Sequence, residues 1–150
     1  SFLATNNDLS RVENTGHNRA INRHQWALDE LTGLLNDAKS KHARCLQAIK
    51  KLIDMRQGQP AFHPNATQFT LNCGRSIFGF WRQSPDRAQS IFCRYNVTPI
   101  STTMAAASLN LVGSDSWRDL ISGETVDLFS EDPYIELAPY QAVWLTNTMT

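Results

Sequence analysis

The sequence carries no net charge: 14 Lys and Arg balance 14 Asp and Glu over 150 residues. Nucleic acids and anionic membranes both call for net or clustered positive charge, so neither partner is expected. No run of about 18 apolar residues occurs, which leaves nothing to span a bilayer as a helix. Cysteine is scarce and odd in number, with Cys45, Cys73 and Cys93 widely spaced and no CxxC. That pattern fits free thiols in a reducing, cytoplasmic setting better than a disulfide framework. The first residue is Ser1, and neither a basic stretch nor a long apolar stretch follows it. No signal peptide is recognisable, and the chain is expected to be processed or to begin inside a longer polypeptide. The sequons at Asn65 and Asn96 are then expected to be chance.

Motifs for common chemistries are missing too. His17, His24, His42 and His63 show no HxxxH or HExxH spacing, so no metal site is expected. There is no GxSxG elbow, no cysteine in an activating motif and no glycine-rich phosphate loop, and no cofactor is expected. The local carboxylate pairs, Asp29/Glu30, Asp115/Asp119 and Glu131/Asp132, read as helix-start or turn residues rather than a catalytic pair.

What is present divides by period. Residues 1–25 are polar and irregular, with at most a short turn of helix through Leu9 and Val12. An unpatterned stretch of that length is usually a lid or binding loop. Leu28, Leu31 and Leu35 predict a helix over 27–36, with Asp29 and Glu30 in its first turn. Leu46, Ile49 and Ile53 predict a second over 40–57, capped by Ser40 and stopped by Gly58 and Pro60. Beyond Pro60 the period becomes two. Strands are predicted at 67–72, 77–82, 90–97, 117–122, 134–137 and 141–146, which suggests an antiparallel sandwich. Residues 102–107 carry no clear pattern. Tyr140 and Trp144 are expected on one strand face with Ala142, as core.

The most informative stretch is Asn14-Thr-Gly-His-Asn-Arg19-Ala-Ile-Asn-Arg23-His-Gln-Trp26. Two arginines four apart lie among Asn18, Asn22, His17 and His24. Planar multi-donor groups of this kind hold hydroxyl-rich ligands, and an Arg fork also fixes carboxylate partners; structural ion pairs are the alternative.

Two segments of the sequence, "WRDLISGE" and "ELAPYQAVWL", resemble the end of the C-terminal β-sandwich of α-amylase superfamily enzymes, glycoside hydrolase family 13. "NDLSRVENTGHNRAINRHQW", "QPAFHPNATQFTLN" and "FGFWRQSPDRAQSIFCRYN" resemble the sucrose phosphorylase branch of that superfamily, which includes sucrose, sucrose 6-phosphate and glucosylglycerate phosphorylases.

The resemblance implies a mostly β fold with an N-terminal helical part. Residues 1–59 would be the tail of a (β/α)8 catalytic barrel, comprising the loop after strand 8 and the closing helices. Residues 60–150 would be the C-terminal β-sandwich. It implies a retaining glycosyltransferase that moves glucose from a sucrose-like α-glucoside to inorganic phosphate, giving glucose 1-phosphate, with its carboxylates on strands outside this chain. This chain would contain no catalytic residue, need its barrel in cis and be inactive alone. Arg19 matches the arginine that contacts the transferred glucosyl group, and Arg23 is the second motif arginine. The alternatives are a non-catalytic carbohydrate-binding or interaction module, or part of an α-glucoside hydrolase or transglycosylase. A barrel remnant would leave the Leu46/Ile49/Ile53 stripe incompletely covered.

Overall fold

A computed structural model describes residues 4–22, 24–105, 116–126 and 134–148. The chain divides into two compact units, Ser1–Asp54 and Met55–Thr150.

The first unit is helical. Its opening stretch, expected to be mostly irregular, folds into helix α1 (Leu9–Thr15) and a 3-10 turn over Asn18–Asn22. Helix α2 (Leu28–Asn36) starts at Ala27 with no side-chain cap. Helix α3 (Lys41–Gln57) runs through the boundary between the units. Ser40 caps α3 as expected, its Oγ accepting from the Ala43 amide at 3.0 Å while donating to the Leu34 carbonyl. One serine therefore serves the ends of both helices. Coverage of the apolar stripe is incomplete: Leu46 and Ile49 are half-buried, and Ile53 is 47% exposed.

The second unit is an antiparallel β-sandwich, the fold class expected. Its strands are β1 (Thr67–Leu71), β2 (Ile77–Gln83), β3 (Ser90–Asn96), β4 (Thr102–Ala105), β5 (Trp117–Asp119), β6 (Thr125–Val126), β7 (Tyr134–Leu137) and β8 (Ala142–Thr146). Six form one sheet in the order β1-β2-β3-β8-β5-β6, and β4 pairs with β7. Between the two sheets lie Ile77, Phe92, Met104, Trp117, Leu137, Val143 and Leu145. Rings from four strands cross that face in a ladder: Phe69–Trp81 at 4.8 Å, Trp81–Phe92 at 5.5 Å and Phe92–Trp117 at 5.2 Å.

The opposite face of the six-stranded sheet is covered as well. There a 3-10 turn, Pro60–Phe62, lays Ala61 and Phe62 over Ile91 and Cys93. Phe62 meets Trp144 edge-on at 5.0 Å. Strand β3 is thus covered on both faces, which explains its near-continuous burial even though Ser90, Arg94 and Asn96 are polar. Burial pushes the Cys93 thiol from its ordinary 9.0 up to about 12, so it stays protonated as the expected inert thiol.

Three readings are corrected. Residues Thr102–Ala105, taken as unpatterned, form β4 because β7 supplies a register-matched partner (Thr102 opposite Leu137). The strand predicted over 117–122 ends at Asp119, where that carboxylate accepts from the Ile121 and Ser122 amides and forces a turn. Tyr140 is not core. It sits in a turn with φ 57°, is 68% exposed, and precedes β8 rather than sharing a face with Trp144.

Buried polar groups close the fold. Asn96 is 2% exposed. Its amide nitrogen donates to the carbonyls of Ile100, Leu137 and Ala138. A glycan there would displace that network, in keeping with a chance sequon. Arg82 reaches across the Ala61–Ala66 corner, donating to the carbonyls of Ala61 at 2.9 Å and His63 at 2.8 Å.

Candidate functional site

The stretch singled out in the sequence forms a groove of about 990 Å³ in the first unit. Its construction starts with α1. Asp8 caps the helix, Oδ1 accepting from the Ser10 amide at 3.1 Å and the Ser10 hydroxyl at 2.6 Å. The Ser10 hydroxyl bond is the main reason the Asp8 carboxyl lies below the usual range. At the other end Gly16 turns left-handed (φ 67°) and its amide closes on the Val12 carbonyl at 2.8 Å. Glycine carries that conformation without the Cβ clash other residues meet. The chain then doubles back through the 3-10 turn, and the Asp8 amide donates to the Ile21 carbonyl at 3.0 Å. That bond ties the start of α1 to the end of the turn and shapes the groove between them.

The groove is lined by Arg11 and Thr15 from α1, His17, Asn18 and Arg19 from the turn, and His24 and Gln25 beyond it. Gly16 and Ala20 complete the wall and leave room. His24 is steadied by its neighbours: its ring meets Trp26 edge-on at 4.4 Å, and Trp26 meets the buried His42 of α3 at 5.2 Å. Arg19 is exposed at the groove. Arg23 lies outside the described residues, so only Arg19 of the expected pair is placed. Arg11 was not singled out from the sequence. The signal for it was the i, i+4 spacing to Thr15, which puts both on one face once residues 9–15 are known to be helical.

The arrangement offers multi-donor side chains on an open concave surface: two guanidiniums, two imidazoles and the amides of Asn18 and Gln25. Among the described residues there is no cluster of three or more His, Cys, Asp or Glu that would hold a metal. No helix among them is long and apolar enough to cross a membrane. The carboxylate pairs do not assemble into a site. Asp29 and Glu30 are exposed in the first turn of α2. Asp119 is 4% exposed and accepts from three backbone amides, the third being Trp144 at 2.8 Å. Asp115, Glu131 and Asp132 lie outside the described residues.

Comparison with known proteins places this architecture. No family model matches. The chain is 29% identical to a glucosylglycerate phosphorylase of Spirochaeta thermophila over 97% of its own length and 26% of that protein's. It is 32% identical to a glucosylglycerate phosphorylase of Escherichia coli, over 97% of this chain and 24% of the relative. The chain therefore spans about a quarter of the length of these relatives. Among solved structures, an α-amylase from Geobacillus thermoleovorans in complex with acarbose superposes with TM-score 0.59 at 18% identity, covering 85% of this chain and 25% of that one. That likeness concerns the fold alone. The resemblance read from the motifs is borne out: the chain is similar along nearly all its length to glucosylglycerate phosphorylases, and its fold is that of α-amylase structures.

Proposed function

We propose that this chain is part of a retaining glycoside phosphorylase that transfers glucose from an α-glucoside to inorganic phosphate, releasing glucose 1-phosphate. The carrying observation is the similarity to glucosylglycerate phosphorylases over 97% of the chain. The groove around Arg19 supports it. A guanidinium fork with neighbouring amides can hold adjacent sugar hydroxyls through paired hydrogen bonds, the role that the motif implies for Arg19. Arg23 is proposed to support Arg19 or to contact the substrate itself.

In this reading the chain binds and orients the transferred glucosyl unit, and carboxylates elsewhere in the polypeptide do the chemistry. One carboxylate attacks the anomeric carbon while a second protonates the leaving oxygen; phosphate then takes the place of water as acceptor. In this reading the catalytic carboxylates lie outside this sequence, and the chain alone is expected to be inactive. The first donor to test is glucosylglycerate, the substrate in the relatives' name, with sucrose second. The full-length polypeptide containing this sequence, given either donor and phosphate, is expected to release glucose 1-phosphate. Hydrolysis to free glucose at the same rate with and without phosphate would overturn the phosphorylase reading in favour of a hydrolase.

A second reading, a sugar-binding module, draws on exposed aromatics of the sandwich. Phe69 is 44% exposed and stacks on Trp81, and Phe78 is 52% exposed. Such rings can stack on sugars. Sugar affinity that survives Arg19→Ala and disappears with Phe69→Ala would favour it.

A further inference from the structure

Strand β1 closes one side of the six-stranded sheet, and among the described residues no strand pairs with its outer side. An edge strand offers a row of unpaired amides and carbonyls to any strand that fits. Proteins usually guard such edges with lysine, proline or a bulge. Strand β1 has none of these. It reads Thr-Gln-Phe-Thr-Leu, and its ladder with β2 runs unbroken from Thr67 opposite Gln83 to Leu71 opposite Gly79. No Lys, Arg, Asp or Glu occurs over residues 57–74, although 19% of the chain is charged. Thr67, Gln68, Phe69 and Thr70 are all exposed. The ring ladder Trp117–Phe92–Trp81–Phe69 stops at this edge. There Phe69 stacks on Trp81 at 4.8 Å and is still 44% exposed.

We infer that β1 pairs antiparallel with β1 of a second copy of the chain, about a two-fold axis through Phe69, joining two six-stranded sheets into one. An axis perpendicular to the sheet keeps each face on its own side. Phe69 then meets Phe69, Gln68 meets Thr70, and Leu71 meets Thr67. Aromatic cross-strand pairs are favourable, and the ring ladder continues through both molecules. The uncharged strand suits its own copy, because no like charges face each other across the seam. The one charge on β2 is Arg82, engaged with Gln68 at 3.3 Å and with the carbonyls of Ala61 and His63. Strands lie about 4.8 Å apart, so three strand spacings hold the two Arg82 side chains farther apart than the Debye length of about 8–10 Å.

Sedimentation equilibrium of the full-length polypeptide that contains this sequence reads the mass directly. A mass of two chains is expected at tens of micromolar protein. Thr70→Lys sets a cation opposite Gln68 of the second copy, beside the Arg82 bonded to it. It should raise the dimer dissociation constant by roughly tenfold or more. Phe69→Cys covers the case in which the lysine variant fails to fold. Across an antiparallel pair the Cα atoms lie about 4.5–5.5 Å apart, within the span of a disulfide. With an added disulfide oxidant, the Phe69→Cys chain should therefore form a covalent dimer far faster than the wild type. A single-chain mass for the wild type, a dimer unchanged by Thr70→Lys, or a Phe69→Cys chain that cross-links no faster than the wild type overturns the pairing. Glucose 1-phosphate release is a separate measurement, and its presence or absence does not bear on this seam.

Discussion

At the scale of single residues, the structure depends on where side chains are small or polar as much as on where they are large. Gly79 illustrates it. A Cβ there would lie 2.5 Å from Arg94 Nη1 and 2.7 Å from Cys73 Sγ. Arg94 is 1% exposed, donates to Cys73 Sγ at 3.0 Å and stands 5.5 Å from the Phe92 ring centre, contacts that hold it in place. Gly79→Ala is expected to destabilise the chain by about 1–3 kcal/mol through overpacking. A lowered midpoint in urea denaturation checks this, and an unchanged midpoint would show that Arg94 yields freely. The same scale shows what local reading misses. Tyr140 looked like a strand aromatic, but the preceding Pro139 and its own left-handed backbone mark a turn, held by the Gln141 side chain accepting from the Ala138 amide at 2.8 Å. Asp119 looked like half of an acid pair and proved to be a backbone anchor, because three amides converge on it from two segments. Such convergence has no sequence signature.

At the scale of elements, strong periodicity was legible and weak periodicity was not. Strands β2, β3 and β7 were found at nearly their observed bounds, from the run of apolar and aromatic residues at every second position and the turns that flank them. Strand β4 was invisible because Thr-Thr-Met-Ala buries only Met104, and its identity comes from β7 across the ladder. The pairing of β8 with both β3 and β5 is equally non-local. For helices, the cap of α3 was readable from Ser40 alone, whereas α1 was read as little more than a turn. That weak reading of α1 also hid Arg11 from the candidate site. Since Ser40 serves α3's first turn and the Leu34 carbonyl together, Ser40→Ala should cost roughly 1–2 kcal/mol, at the upper part of the range for caps. Thermal unfolding followed at the helical far-UV signal measures it; no change would mean that water replaces both bonds.

At the scale of the whole molecule, the chain comprises a helical unit bearing the groove and a sandwich buried on both faces of its main sheet. The fold class was legible in the change of period after Pro60, and the resemblance to phosphorylases in stretches such as NRAINRH and APYQAVWL. The groove was legible as a stretch but not as a shape, since the left-handed Gly16 and the Asp8–Ile21 bond that fold it back are long-range outcomes of a short sequence.

The account's central claim is that this groove holds the sugar transferred by a glycoside phosphorylase, with Arg19 as the contact. The most direct measurement is kcat/KM for phosphate-dependent glucose 1-phosphate release by the full-length polypeptide, wild type against Arg19→Ala. Loss of a charged, paired hydrogen bond to the reacting sugar should lower it by about 100-fold or more, with the fold retained, as about 3 kcal/mol of transition-state stabilisation is removed. An Arg19→Ala enzyme within twofold of the wild type would contradict the claim.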